Sequence, residues 1–164
     1  MIMDDVETAR RAVPATTVVE RHYRATVARV FRAWSDPKQF AQWCAPGGDW
    51  VLADSAVDFR IHGRQMFFFG PPGAPRFKGE GRFEDIVENQ RIVTAGTMHD
   101  MEEPEGHQRM STTICVVEFL EEKGGARLIL TDHSVFYTWE TPADRKEGWS
   151  EILAKLDAFI KGKH

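Results

Sequence analysis

The last periodic segment of the chain, residues 141–161, has the hydrophobic pattern of a long amphipathic helix. Thr141 is placed to cap it, Pro142 suits the first helical position, and Asp144 stands where a carboxylate can return the capping bond. The large apolar side chains fall on one face: Trp149, Ile152, Leu153, Leu156, Phe159 and Ile160. Because burying each of them is worth about 1.5–3 kcal/mol, packing of this face is expected to hold the helix.

Near the other end, the pattern predicts a strand over residues 16–24, followed by two short helices. Thr26 can cap the first helix. Its apolar residues share one face: Val27, Val30, Phe31 and Trp34. Asp36 followed by Pro37 is typical of a new helix start, and this second helix extends to Trp43.

Between the helices, alternating residues and turn signals predict strands over residues 49–60, 63–69, 76–88, 91–99, 110–120 and 126–135. The segment 76–88 is the most regular of them. Its inward set is predicted to be Phe77, Gly79, Gly81, Phe83, Asp85 and Val87. Its outward set is Lys78, Glu80, Arg82, Glu84, Ile86 and Glu88. The two inward glycines either let the sheet bend or leave space for a ligand. The class is therefore α+β, with about seven antiparallel strands curved around the last helix.

Composition and charge narrow the class of protein. The 164 residues suit one domain, which we place at residues 15–164 after an N-terminal tail of residues 1–14. A net charge of -4 argues against nucleic acid as a partner. No secretory signal and no apolar run of membrane-spanning length is present in the sequence. Cys44 and Cys115 form no ligand motif and fit reduced thiols, which favours a cytoplasmic protein.

Several short motifs resemble the START-like, or birch-pollen-allergen-like (SRPBCC), superfamily, and within it the family named for the activator of the heat-shock protein 90 ATPase. They are VFRAWSDP at 30–37 with QW at 42–43, VDFR at 57–60 with GR at 63–64, GEG at 79–81 with Phe83, and GW at 148–149 with Leu153 and Leu156. The resemblance implies a helix-grip fold, in which the sheet wraps the last helix around an apolar cavity. Members of this superfamily include lipid and hormone binders, polyketide cyclases and co-chaperones.

The candidate cavity lining is mainly aromatic, as in many ligand pockets. It consists of Trp43, Phe59, Phe67, Phe69, Phe83, Met98, Trp149, Leu153 and Leu156. For any one of them taken alone, plain core packing is the better explanation. Arg60, Asp132 and His133 are candidates for the polar mouth of the cavity, where they would orient a head group or transfer a proton. Solvated or ion-paired strand ends are the alternative, and Asp58 is placed to pair with Arg60.

The sequence gives little support for a metal site or for a catalytic nucleophile. One acidic and histidine-containing loop matches no ligand pattern of defined geometry: His99, Asp100, Glu102, Glu103, Glu105 and His107. Ser134 after His133 does not make a nucleophile elbow. Neither a metal nor a cofactor is expected.

Three hypotheses for function follow. The first is non-catalytic binding of a small apolar or amphipathic molecule between the sheet and the last helix. The second is a cyclase or hydrolase that uses Arg60, Asp132 or His133 beside the same cavity. The third is a co-chaperone-like regulator that contacts a heat-shock protein 90 ATPase. Exposed strand edges are also compatible with a homodimer.

Overall fold

The computed structural model describes residues 12–102 and 108–162. In these ranges the strands are β1 (Val13–Tyr23), β2 (Ala53–Val57), β3 (Arg64–Phe69), β4 (Phe77–Val87), β5 (Arg91–Asp100), β6 (Gln108–Glu122) and β7 (Gly125–Phe136). The helices are α1 (Val27–Ser35), α2 (Pro37–Trp43) and α3 (Pro142–Lys161). The strands form one antiparallel sheet in the order β1-β7-β6-β5-β4-β3-β2. This curved sheet around α3 is a helix-grip fold and confirms the predicted α+β class.

Helix α3 begins as its sequence predicts. The Asp144 backbone N–H donates to Thr141 Oγ1 over 3.2 Å, and the Thr141 N–H donates to the Asp144 carboxylate over 2.9 Å. These reciprocal bonds form a capping box that satisfies two donors at the helix start. Leu153 and Leu156 are completely buried, and Ile152 is nearly so. The predicted apolar face therefore packs against the rest of the core.

Two polar contacts hold α3 to other parts of the fold. The Tyr23 hydroxyl, at the end of β1, donates to the Leu153 carbonyl over 2.9 Å. On another side, Lys155 Nζ donates to the carbonyl oxygens of Ala45 at 2.7 Å and Trp50 at 2.5 Å. Because burial disfavours its charged form, the pKa of Lys155 is lowered. The helix is thus held against both β1 and the segment that follows α2.

The two short helices also form as predicted. The Arg29 N–H donates to Thr26 Oγ1 at the start of α1 over 3.1 Å, and the Lys38 N–H donates to Asp36 Oδ1 at the start of α2 over 3.0 Å. The α1 face that contains Phe31 lies against β6, where its ring meets Phe119 edge-on at 5.2 Å. These helices therefore cover one end of the concave sheet.

Most strand bounds lie within two residues of the sequence prediction, and two strands differ by more. Strand β1 begins at Val13, inside the predicted tail, because Val13 pairs with Phe136 at the end of β7. Residues 1–11 lie outside the described ranges. Strand β2 covers only five residues of the predicted 49–60, since Asp54 has a positive φ of 50° and the pairing shifts between Ala53 and Ala56.

The inward and outward sets predicted for β4 are wrong at its end. A register shift between Phe83 and Asp85 inserts an extra residue, which exchanges the two faces of the strand. Phe83 is buried as predicted, but Asp85 turns outward and accepts a hydrogen bond from Arg91 Nε over 2.5 Å. Ile86 instead packs against the core. The bulge thus lets β4 contribute Ile86 to the interior in addition to Phe77 and Phe83.

Candidate functional site

Two neighbouring spaces lie between the concave face of the sheet and α3. The inner cavity has a volume of about 130 Å³ and the outer groove about 430 Å³. The side chains that line both spaces are Cys44, Phe67, Met98, Arg145 and Trp149. These five residues therefore form the wall between the inner cavity and the outer groove.

The inner cavity is mostly apolar, with a few polar groups. Its apolar lining includes Trp34, Phe40, Phe59, Phe83, Ile92 and Val117. Its polar lining includes Gln65, Thr94, Thr113, Asp132 and Arg145. Gly79 contributes backbone, and a Cβ at this position would lie 2.5 Å from the Phe67 ring. Glycine at position 79 therefore leaves the space that the Phe67 ring occupies.

Arg145 on α3 is the centre of the polar lining. Its Nε and Nη2 atoms both donate to the Glu140 carboxylate over 2.8 Å, in a two-pronged contact. Nη2 also donates to Ser111 Oγ over 2.7 Å, and Nη1 lies 3.0 Å from acceptors on Thr113, Asp132 and Ser134. Every N–H group of this guanidinium thus has an acceptor within the protein.

Asp132 on β7 is fully buried and equally well paired. Its Oδ2 accepts hydrogen bonds from Arg145 Nη1 over 3.0 Å and from the Trp149 indole N–H over 2.8 Å. Its Oδ1 accepts a short hydrogen bond from the Ser134 hydroxyl. Since a buried carboxylate is stable only when paired, this set of donors explains how Asp132 is retained in the interior.

The network contains one guanidinium group and two carboxyl groups. Arg145 supplies one positive charge, whereas Asp132 and Glu140 supply two negative charges when ionised. Burial alone would lower the pKa of Arg145, but the hydrogen bonds and charges of Glu140 and Asp132 outweigh burial and raise that pKa. The arginine is therefore protonated, and two carboxyl groups share its single positive charge.

Strand pairing and helical spacing bring these residues together. Asp132 and Ser134 alternate on the inner face of β7, and Thr113 on β6 is directly opposite Ser134. Arg145 and Trp149 are four residues apart on α3, so they lie on the same side of the helix. That spacing was the one signal in the sequence for Arg145, which the sequence analysis did not select.

Comparison with known proteins agrees with this architecture. The sequence pattern of the family described as "Activator of Hsp90 ATPase homolog 1-like protein" matches residues 24–161. The chain belongs to this family. No protein with a curated functional description matches it.

Several solved structures have the same fold. A protein from Rhizobium leguminosarum is 34% identical, with a TM-score of 0.81, over 92% of this chain and 96% of the other. A protein from Rhizobium loti is 30% identical, with a TM-score of 0.78, over 92% and 99% of the two chains. A third, from Aeromonas hydrophila and described as AHSA1-like, is 25% identical over 90% and 92%, with a TM-score of 0.70.

The apolar residues selected from the sequence divide between the cavity and the core. Those that line the inner cavity are Phe59, Phe67, Phe83, Met98 and Trp149. Phe69 lines the outer groove together with Phe67, Met98 and Trp149. The remaining three, Trp43, Leu153 and Leu156, are at most 1% exposed and line neither space. They contact other core side chains because α2 and the middle of α3 pack directly against the core cluster.

The three residues predicted at the polar mouth do not converge. Asp132 lies inside the cavity wall and not at an opening. His133 follows it on β7 and therefore points to the other face, where its Nδ1 lies 3.1 Å from Thr16 Oγ1. Arg60 lies after β2, with its side chain 75% exposed, and forms the expected ion pair with Asp58 at 2.6 Å. The prediction of a mouth with these three members was wrong for Arg60 and His133.

The acidic loop shows no metal centre among the residues that the structure describes. Asp100 accepts two hydrogen bonds from Arg76, and these bonds lower the pKa of its carboxyl group. His99 Nε2 lies 3.1 Å from Thr97 Oγ1. The other predicted members, Glu103, Glu105 and His107, lie outside the described ranges. Within those ranges, no helix is long and apolar enough to cross a membrane.

The two cysteine thiols are expected to be unreactive in the folded protein. Cys44 and Cys115 are both buried in the cavity lining, and burial raises the pKa of each thiol well above its ordinary value. An aromatic disulfide reagent near neutral pH should label neither thiol in the native protein and both after denaturation, as measured by absorbance. Rapid labelling of either one without denaturant would contradict this packing.

Proposed function

We propose that this protein binds a small apolar or amphipathic molecule between the sheet and α3, without transforming it. The observation that carries the proposal is the apolar cavity closed at one side by the Arg145–Asp132 network. Apolar walls with a few fixed polar groups are the usual composition of a ligand site. The family match supports this proposal only at the level of the fold.

The size of the two spaces suits a small organic molecule. An apolar cavity of about 150 Å³ can hold a benzene ring, and the inner cavity is close to that size. The outer groove lies within the roughly 300–1,000 Å³ range of ligand pockets. Rotation of Phe67, Met98 or Trp149 would join the two spaces, because these side chains line both. A ligand with one end in each space is therefore compatible with the fold.

Binding is favoured over catalysis because the polar groups of the cavity are already hydrogen-bonded within the protein. Asp132 accepts from Ser134, Arg145 and Trp149, so its oxygens already have donors. A general base must reach a proton on the substrate. Both oxygens of this carboxylate already accept hydrogen bonds from the protein. The cyclase or hydrolase hypothesis also required Arg60 and His133 at the cavity, and neither faces it.

The proposal is tested by thermal shift with a panel of neutral amphipathic compounds, after native mass spectrometry of the purified protein. A ligand at about 100 times its Kd should stabilise the protein by ~2.7 kcal/mol. For a domain of this size, that corresponds to a rise in Tm of about 5–10 °C. Absence of any shift across the panel, with no bound mass, would count against binding.

Two matched variants test whether the ligand binds in the inner cavity. Thr94 lines the inner cavity, so Thr94→Phe should fill the cavity and remove the rise in Tm that the ligand causes. Thr131 is next to Asp132 on β7 and faces the opposite side of the sheet, so Thr131→Phe should keep that rise. Equal ligand responses in the two variants would show that the compound binds elsewhere.

A further inference from the structure

The indole N–H of Trp34 stands out among the polar groups around the inner cavity. Trp34 is 8% exposed and lines the cavity, yet its Nε1 has no hydrogen-bond acceptor among the described residues. Two other indoles nearby have acceptors: the buried Trp43 donates from Nε1 to the Ala33 carbonyl over 3.2 Å, and the partly buried Trp149 donates from Nε1 to Asp132 over 2.8 Å. A buried donor without an acceptor is rare and carries a free-energy cost.

The Trp34 ring is held by its neighbours. It meets Trp43 edge-on with ring centroids 4.9 Å apart and stacks on Trp149 with centroids 6.5 Å apart. Phe119 and Phe40 contact it at 6.3 Å and 6.0 Å. Because closely packed rings resist rotation, the indole cannot readily turn to find an acceptor elsewhere in the protein. An acceptor for this N–H would therefore have to be supplied by a bound molecule.

The hydrogen bonds of Arg145 argue against an anionic ligand. A buried arginine usually indicates an anionic partner, but every N–H group of Arg145 already has an acceptor in the protein. The carboxyl groups of Asp132 and Glu140 already share this guanidinium. A carboxylate or phosphate placed beside this network would be buried without a cation of its own, which is strongly unfavourable.

We infer that the molecule bound in the inner cavity is neutral and presents a carbonyl-type oxygen to the indole N–H of Trp34. The inference rests on the proposed function, because it specifies the ligand of the same cavity. Trp34 is then the residue that selects among apolar molecules of similar shape. A site with a buried donor discriminates against an analogue that lacks the matching acceptor, since the donor is left unpaired.

Cyclohexanone and methylenecyclohexane test this selection, because they differ only in an exocyclic oxygen or CH₂ group. Both are titrated into ¹⁵N-labelled wild-type protein, and the tryptophan indole signals are followed by NMR. The Trp34 signal, assigned by its loss in Trp34→Phe, should move downfield with cyclohexanone. It should move much less with methylenecyclohexane, which has no acceptor. Both titrations are made on the wild-type protein, and Trp34→Phe serves only to assign the signal.

The ratio of the two Kd values gives the second measurement. In the wild type, the Kd of methylenecyclohexane divided by that of cyclohexanone should exceed the same ratio in Trp34→Phe by about five- to tenfold. The ratio cancels general effects of the substitution on the cavity. Trp43→Phe is the matched control, because Trp43 donates to Ala33 and does not line the cavity, and it should leave the ratio unchanged.

The outcomes separate the inference from the proposed function. If both compounds bind and neither the Trp34 signal nor the ratio responds, the assignment of Trp34 is overturned while binding in the cavity stands. If the ratio falls as much in Trp43→Phe as in Trp34→Phe, the inference also fails, because the effect then reflects packing. If neither compound binds while other compounds of the panel do, the inference fails and the proposed function stands; if no compound of the panel binds either, both fail.

Discussion

Replacing Arg145 with methionine is expected to lower the free energy of unfolding by about 3–5 kcal/mol. The substitution keeps much of the side-chain volume but removes the cation that Asp132 and Glu140 share. Two carboxylates with at most 12% side-chain exposure would then lack their counter-charge. Denaturant unfolding followed by circular dichroism measures the loss. Total stabilities of 5–15 kcal/mol are typical, so the variant should be marginal but measurable.

Two control variants separate charge from geometry in this experiment. Arg145→Lys keeps the positive charge but loses the two-pronged contact with Glu140, so its loss should be smaller than that of Arg145→Met. Adding Asp132→Asn to Arg145→Met should recover part of the loss, because the amide carries no charge. If Arg145→Met is nearly as stable as the wild type, the network is not an important part of the fold.

The sequence could not identify Arg145 because its environment is made by distant residues. Most arginines lie on the surface, and residues 144–147 contain four charged side chains in succession, a composition typical of a solvated turn of helix. Arg145 can be buried only because side chains on the sheet accept its hydrogen bonds. They are Asp132 and Ser134 on β7 and Ser111 on β6. Spacing of four residues from Trp149 identifies a shared face, but not the acceptors on it.

Local features, in contrast, were predictable. The capping residues Thr26, Asp36 and Thr141 each act within a few positions of their own helix, so the sequence nearby contains the whole signal. The bulge after Phe83 was missed because it depends on how β4 pairs with β5. The same limit applies to function: a chaperone contact and a homodimer stay predictions, since each depends on a surface of another molecule.

Replacing Trp149 with alanine is the second change with a large expected effect, about 3–5 kcal/mol of stability. The ring stacks on Trp34, its indole N–H donates to Asp132, and its side chain separates the inner cavity from the outer groove. Truncation removes all three and joins the two spaces. Besides the loss of stability, compounds too long for the wild-type cavity should therefore bind the variant, as a rise in its Tm would show.

Trp149→Phe distinguishes the contributions of the ring and the hydrogen bond. It retains an aromatic ring at the wall but leaves Asp132 without one of its donors, so its expected loss is about 1–3 kcal/mol. Long compounds should bind this variant no better than the wild type, because the wall is kept. A loss below about 1 kcal/mol for Trp149→Ala would show that α3 does not depend on this residue for packing. Equal binding of long compounds by both variants would show that Trp149 does not separate the two spaces.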